Sequence, residues 1–284
     1  MAPWNKHTLF FLHTPKTAGS TLEAVIGHQY GYRGIRRVDF RRYNDSCRDL
    51  RNLPVEEKMQ TRVVLGHFLF SENLHGDYPR PYTYISVLRD PVERVISNYY
   101  YIRKRPNSRF HETVASGATS LEEFVRSGAE PYNFNAQTRF LAGAGENVPS
   151  SEVTAATLEL AKENVEKHFT AIAITERFDE SLMLLRHKLG WSWPFHLGAQ
   201  KVNADKPNRG AIPASAIEAI EEANQLDREL YRWSVARLDD HIASRGEAFT
   251  RELARFRQLC GSETARKFCI LRDKVLHRAG TLLE

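Results

Sequence analysis

A short apolar run that stops at a proline and resumes as a helix restricts this chain more than anything else in it. Residues 8–13 read TLFFLH, a buried strand by their length and composition. His13, Thr14, Pro15, Lys16, Thr17, Ala18, Gly19, Ser20 and Thr21 follow, and residues 20–28 (STLEAVIGH) then place Leu22, Val25 and Ile26 on one helical face. A strand, a turn with a lysine and small residues, and a helix start make an anion cradle. Ala18 and Gly19 let the backbone come close to a phosphate, and the N–H groups opening the helix point at it. Lys16 adds a charge, and Ser20 and Thr21 add hydroxyl donors. An ordinary strand-to-helix turn with an incidental lysine is the plain alternative.

The same alternation continues. Residues 62–66 (RVVLG), 82–88 (YTYISVL) and 170–174 (TAIAI) read as further strands. Residues 91–103 read as a helix with Pro91 in its first turn, and residues 120–126 as a short one capped by Ser120, with Glu123 three positions on. Residues 151–169 and 178–189 are helical by pattern, and nearly everything from Pro213 to about residue 278 is helical too. Residues 30–51 form a polar, arginine-rich excursion, and residues 197–213 form a loop. The expected fold is therefore α/β: a P-loop-like central parallel sheet flanked by helices, with a helical C-terminal region. Residues 1–244 are expected to form one domain, with residues 245–284 a helical extension packed on it.

Composition narrows the setting. With 42% hydrophobic and 26% charged residues over 284 positions, the core needs no metal or disulfide staple. A net charge of +5 favours an anionic partner without choosing one. Cys47, Cys260 and Cys269 are widely spaced and form no CxxC pair, which reads as free thiols in a reducing compartment. No apolar run is long enough to span a membrane, and no signal-peptide pattern is present. These features predict a soluble, cytoplasmic protein, unless a leader precedes this sequence. No nucleic-acid-binding motif is visible, and oligomeric state is not readable.

The lysine here precedes the glycine, so the GxxxxGK[ST] order of nucleotide hydrolases is missing. A second constellation gives the loop a partner. The strand at residues 82–88 ends in Arg89, and Ser97 lies two turns into the next helix. In an open parallel sheet ligands bind beyond the carboxyl ends of strands, which places Lys16 and Arg89 on one rim. A salt bridge from Arg89 to Asp90 or Glu93, with Ser97 as a small packing residue, is the structural alternative.

PKTAGST after a first strand and RDPxxRxxS after a later one resemble the two signatures of sulfotransferases that use 3′-phosphoadenosine 5′-phosphosulfate (PAPS). Within that superfamily the chain is similar to the carbohydrate branch typified by heparan and dermatan sulfate uronosyl 2-O-sulfotransferases. The supporting blocks are Gly66-His67, the run from Arg89 to Arg103, Gln137 to Leu141, and Thr175 to Leu182. The resemblance implies that Lys16, Thr17, Ala18, Gly19, Ser20 and Thr21 bind the 5′-phosphosulfate, and that Arg89 and Ser97 bind the 3′-phosphate. It also implies that Lys201 and Lys206 lie in a donor-covering loop, and that PAP is the product. Animal members of this branch carry a membrane anchor and work in the Golgi.

The implied activity is transfer of a sulfuryl group from PAPS to a hydroxyl of a carbohydrate acceptor by in-line displacement, with no metal. Lys16 would stabilise the leaving phosphate. His67, after the second strand on the same rim, would act as general base; a strand-end histidine bonded to a backbone carbonyl is its bland reading. His75 and His13 are further base candidates. Arg33, Arg36, Arg37, Arg41 and Arg42, with Arg103, Lys104, Arg105 and Arg109, make an acidic glycan a candidate acceptor, or else form solvated faces. Two other functions compete: a nucleotide-dependent kinase of small molecules, which needs a magnesium-holding carboxylate, and a non-catalytic binding protein for acidic glycans.

Overall fold

A computed structural model of the chain describes residues 6–39, 42–76, 78–115, 117, 119–196, 206–263 and 267. Its centre is a parallel five-stranded sheet of β1 (Thr8–Leu12), β2 (Ile35–Val38), β3 (Val63–Gly66), β4 (Tyr82–Leu88) and β5 (Phe169–Ile174), in the order β2-β3-β1-β4-β5. Phe10, Phe11, Val63, Val64, Ile85 and Val87 are fully buried, because a parallel sheet has helices on both faces.

The chain leaves β1 for the outer strands β2 and β3 and then crosses back to β4. That reversal beside β1 opens a crevice at the carboxyl ends of the strands. Registers align Leu12 with Gly66 and with Ser86, and Leu88 with Ile174. The loops after β1, β3, β4 and β5 therefore leave from one rim.

Helix α1 (Gly19–Tyr30) and the helices Pro91–Lys104 and Phe178–Leu189 lie within a residue or two of where the sequence puts them. The capping box at Ser120 and Glu123 is present. The excursion at residues 30–51 is the departure: it contains β2 and the helix α2 (Tyr43–Arg51). β2 reads IRRV with both arginines exposed, so it carries no apolar alternation to identify it. At the other end, Phe249, Leu253 and Phe256 of the helix Glu247–Gly261 join the main hydrophobic core.

Candidate functional site

The loop after β1 is strained, and the strain is braced. Lys16 and Ala18 have φ of 70° and 60°, in the left-handed region. An L-residue placed there costs about 1–2 kcal/mol, and such residues persist where their surroundings dictate the conformation. Thr17 Oγ1 donates to the Thr14 carbonyl at 2.7 Å, and Arg89 Nη1 donates to the Lys16 carbonyl at 3.2 Å. Thr175 Oγ1 lies 3.0 Å from the Thr17 carbonyl and 2.9 Å from that of Leu88, tying loop, β4 and β5 together. Alternating left-handed residues turn backbone N–H groups into a concavity. Helix α1 opens from it with no acidic residue in its first turn, so its positive end is not neutralised from within.

Gly19 has a concrete reason. A Cβ there would lie 2.0 Å from His13 Nε2, so the imidazole of His13 packs where a side chain would stand. This ring gives Gly19 a packing role beside the one expected of it in phosphate approach. His13 is buried, and its Nδ1 lies 3.0 Å from Glu23. Burial pushes the Glu23 carboxyl up, but the hydrogen bonds from His13 and Arg37 outweigh it and bring the group down to about 2. Lys16 Nζ stands 4.0 Å above the ring of Tyr101, on the helix Pro91–Lys104. Tyr99, two residues earlier, is a core residue whose hydroxyl bonds to the Thr119 carbonyl.

Arg89 sits where β4 ends. Buried Gln137 clamps its backbone from both sides, accepting from the Arg89 N–H at 2.8 Å and donating to its carbonyl at 2.9 Å. The Arg89 guanidinium reaches Glu93 at 3.4 Å and Glu176 at 3.8 Å, and its buried Nε makes no hydrogen bond. Burial raises the Glu176 carboxyl, partly offset by its bonds from Tyr231, Asp90 and the Arg89 charge. Glu93 is also the ion-pair partner of Lys206. Glu93 and Ser97 are four residues apart in the helix Pro91–Lys104 and share a face, while Arg89 precedes that helix and reaches Glu93 from the end of β4. Both the salt bridge and the rim position anticipated for Arg89 are therefore present. Lys201 lies outside the described residues. Arg209, another cation of that loop, is taken up by Asp90 and Glu221 at 3.4 and 3.5 Å.

His67 follows Gly66, whose φ is 145° and whose Cβ would meet the Val38 carbonyl oxygen at 2.5 Å. The His13 N–H extends the ladder to the Gly66 carbonyl at 2.9 Å. The carbonyl of His13 then takes His67 Nδ1 at 2.5 Å. A carbonyl only accepts, so Nδ1 carries the proton and Nε2 of the neutral ring keeps its lone pair. The His13 and His67 ring centroids are 4.2 Å apart. His67 lines a cavity of about 500 Å³ with aromatic walls that include Tyr43, Phe68, Tyr132 and Phe140. His75 is elsewhere: it is buried, bonded to the Tyr84 hydroxyl, and packed against Tyr82 at the start of β4. Burial, with the charge of His168, pushes it down to about 4.

Several arginines of the basic excursion are paired: Arg36 with Glu57 and Arg37 with Glu23 at 2.7 Å each, and Arg42 with Asp45 at 3.8 Å. Arg109 reaches Glu146 at 3.3 Å. Arg41 lies outside the described residues. The block at residues 137–141 holds structural residues that its sequence did not reveal. Arg139 is fully buried and donates to the Phe134, Gly145 and Val148 carbonyls, which fixes the loop forming one wall of the His67 cavity.

A family model described as galactose-3-O-sulfotransferase matches residues 2–283, which includes nearly all of the C-terminal stretch at residues 245–284. The chain is 28% identical to human galactose-3-O-sulfotransferase 3, over 97% of this chain and 64% of that protein. It is 27% identical to galactosylceramide sulfotransferase of Bos taurus, over 93% of this chain and 64% of that protein. Heparan sulfate 2-O-sulfotransferase 1 of Xenopus laevis matches at 28% over a shorter region, 51% of this chain and 42% of that protein. The chain thus spans under two thirds of the length of these relatives. The matches correct the cytoplasmic expectation, because the relatives are of the Golgi-resident, membrane-anchored type. No helix among the described residues is long and apolar enough to cross a membrane, and that fact assigns no compartment.

Proposed function

Because the chain belongs to the galactose-3-O-sulfotransferase family, we infer that it moves a sulfuryl group from PAPS to a hydroxyl of a carbohydrate acceptor. One observation carries the reading. A braced, left-handed loop bearing Lys16 and a histidine with its lone pair on Nε2 share one rim, joined by the bond from His67 to the His13 carbonyl.

The residues present suit a donor with two phosphate groups. The loop at residues 16–21 and the open end of α1 offer backbone N–H groups, the Lys16 charge and the Ser20 and Thr21 hydroxyls to one of them. Arg89 and Lys206, both paired with Glu93, suit the second, with Ser97 one turn beyond Glu93 on the same helical face. Glu93 now lies between Arg89 and Lys206, and its carboxylate marks a position that both cations favour for an anion. Lys201 is assigned to this second group by resemblance alone.

When bound, PAPS supplies a sulfuryl group attached to a good phosphate leaving group. His67 Nε2 takes the proton of the acceptor hydroxyl as its oxygen bonds to sulfur. Lys16 stabilises the charge that grows on the phosphate oxygen as the bond from sulfur breaks. Incubation with labelled PAPS and a panel of galactosides and uronate-bearing glycans tests the reading. Labelled product on at least one glycan is expected. Transfer to none of them, together with no binding of PAP, contradicts it.

A further inference from the structure

The cavity at His67 has a neighbour. Tyr43, Asn44 and Leu69 also line a second space of about 340 Å³, whose other walls include Cys47, Arg48 and Arg51. Helix α2 builds the partition. Tyr43, Asn44, Cys47, Arg48 and Arg51 recur at helical spacing and so fall on one side of it. The excursion that carried no readable structure in the sequence thus becomes one wall of the space in front of the candidate base.

The two compartments differ in charge. Beside His67 the walls are aromatic rings with the amides of Asn44 and Asn147, and the charged side chain is Glu146. Glu146 takes a hydrogen bond from Tyr132, and Arg109 pairs with it at 3.3 Å. Aromatic faces and amides suit a neutral pyranose, and a carboxylate on the wall disfavours an acidic one. The second compartment is lined by two guanidinium groups. Arg48 is held by Asp45 at 2.6 Å. Among the described residues no carboxylate stands within ion-pair distance of Arg51, whose charge acts on Tyr43 and Cys47.

We propose that the acceptor is a glycan of at least two sugars, with a neutral pyranose at His67 and an anionic group on the adjoining sugar received by Arg48 and Arg51. The inference rests on the sulfotransferase reading. It adds a subsite, and a reason for the enzyme to distinguish otherwise equal reacting sugars.

The test uses three disaccharides with the same reacting β-galactoside and a second sugar that is uncharged, O-sulfated or a uronate. The expected kcat/KM is about tenfold higher for the better charged disaccharide than for the uncharged one, as two partly exposed ion pairs allow. An Arg48→Gln, Arg51→Gln double variant should bring that ratio to about one, and Arg51→Glu should lower it further. Melting temperature and PAP binding, matched to the parent protein, show that each variant is folded. A parent protein without the preference, or a preference that survives both variants, overturns this inference and leaves the sulfotransferase reading standing. No transfer to any of the three, without PAP binding, overturns both. The sulfated and uronate arms decide which anion the arginines receive.

Discussion

His67 Nδ1 donates to the carbonyl of His13 at 2.5 Å, so the candidate base is tied to the first residue of the phosphate loop. The bland and the functional readings of a strand-end histidine are here the same bond. It fixes the tautomer that leaves Nε2 able to accept a proton. His67→Ala should lower kcat by about 10²–10⁴-fold. PAP affinity, measured by calorimetry, should change by less than about twofold, because the lost interaction is made with the acceptor proton. An equal loss of donor affinity would place His67 in the donor site instead.

Lys16 carries its charge on a left-handed residue braced by Arg89. Lys16→Ala removes the charge and leaves the backbone requirement as it was. The turnover rate should fall by about 10²–10³-fold, the range for loss of one preorganised stabilising donor. Thermal unfolding should stay close to that of the parent. A large drop in melting temperature with little effect on kcat would make the lysine a structural residue.

Two adjacent small residues should respond in opposite ways. Gly19→Ala puts a Cβ 2.0 Å from the buried His13 ring. It should destabilise the protein by about 1–3 kcal/mol through overpacking. Ala18→Gly relieves a left-handed alanine and should be neutral or stabilising by up to about 1 kcal/mol, once the freer unfolded chain is counted. Urea denaturation of both variants measures the difference.

Glu93 lies between Arg89 and Lys206, where the donor's second phosphate is assigned. Glu93→Gln should tighten PAP binding about fivefold, since one partly exposed carboxylate no longer competes for those cations. Weaker binding would mean that Glu93 positions Arg89 for the ligand.

The Glu23 carboxyl is lowered from 4.5 to about 2. A lowered carboxylate pKa stabilises the fold fully above the unfolded value and loses that effect as pH falls from 4.5 toward 2. The contribution is roughly 3 kcal/mol at neutral pH. Glu23→Gln should therefore be less stable than the parent at neutral pH, and the two stability curves should converge as the solution is acidified through that window. Parallel curves across the whole range would remove the hydrogen bonds from His13 and Arg37 from the account.

Much of the site was legible because its parts sit at strand ends. An apolar run ending in a turn gave the loop, and β4 ending at Leu88 gave Arg89 its place on the rim. The resemblance then suggested the role proposed for His67, which residue type and strand position alone left open. What the sequence hid depends on contacts distant along the chain. Gln137 clamps Arg89 from 48 positions away. Gly19 leaves room for the ring of His13, a contact its motif does not announce. β2 reads IRRV, with no apolar alternation and with both arginines paired to carboxylates on other elements, and α2 is so polar that Leu50 is its one buried residue, so the segment reads as a charged excursion.

The central claim is that Lys16 and His67 serve one sulfuryl transfer. Its most direct test is the initial rate of labelled transfer from PAPS to a β-galactoside disaccharide, by the parent protein and by His67→Ala, with PAP affinity measured on the same samples. The account predicts transfer by the parent, a rate lower by about two orders of magnitude or more in the variant, and matched PAP binding in both. Equal rates in the two proteins, or no transfer by a parent protein that also fails to bind PAP, would contradict it.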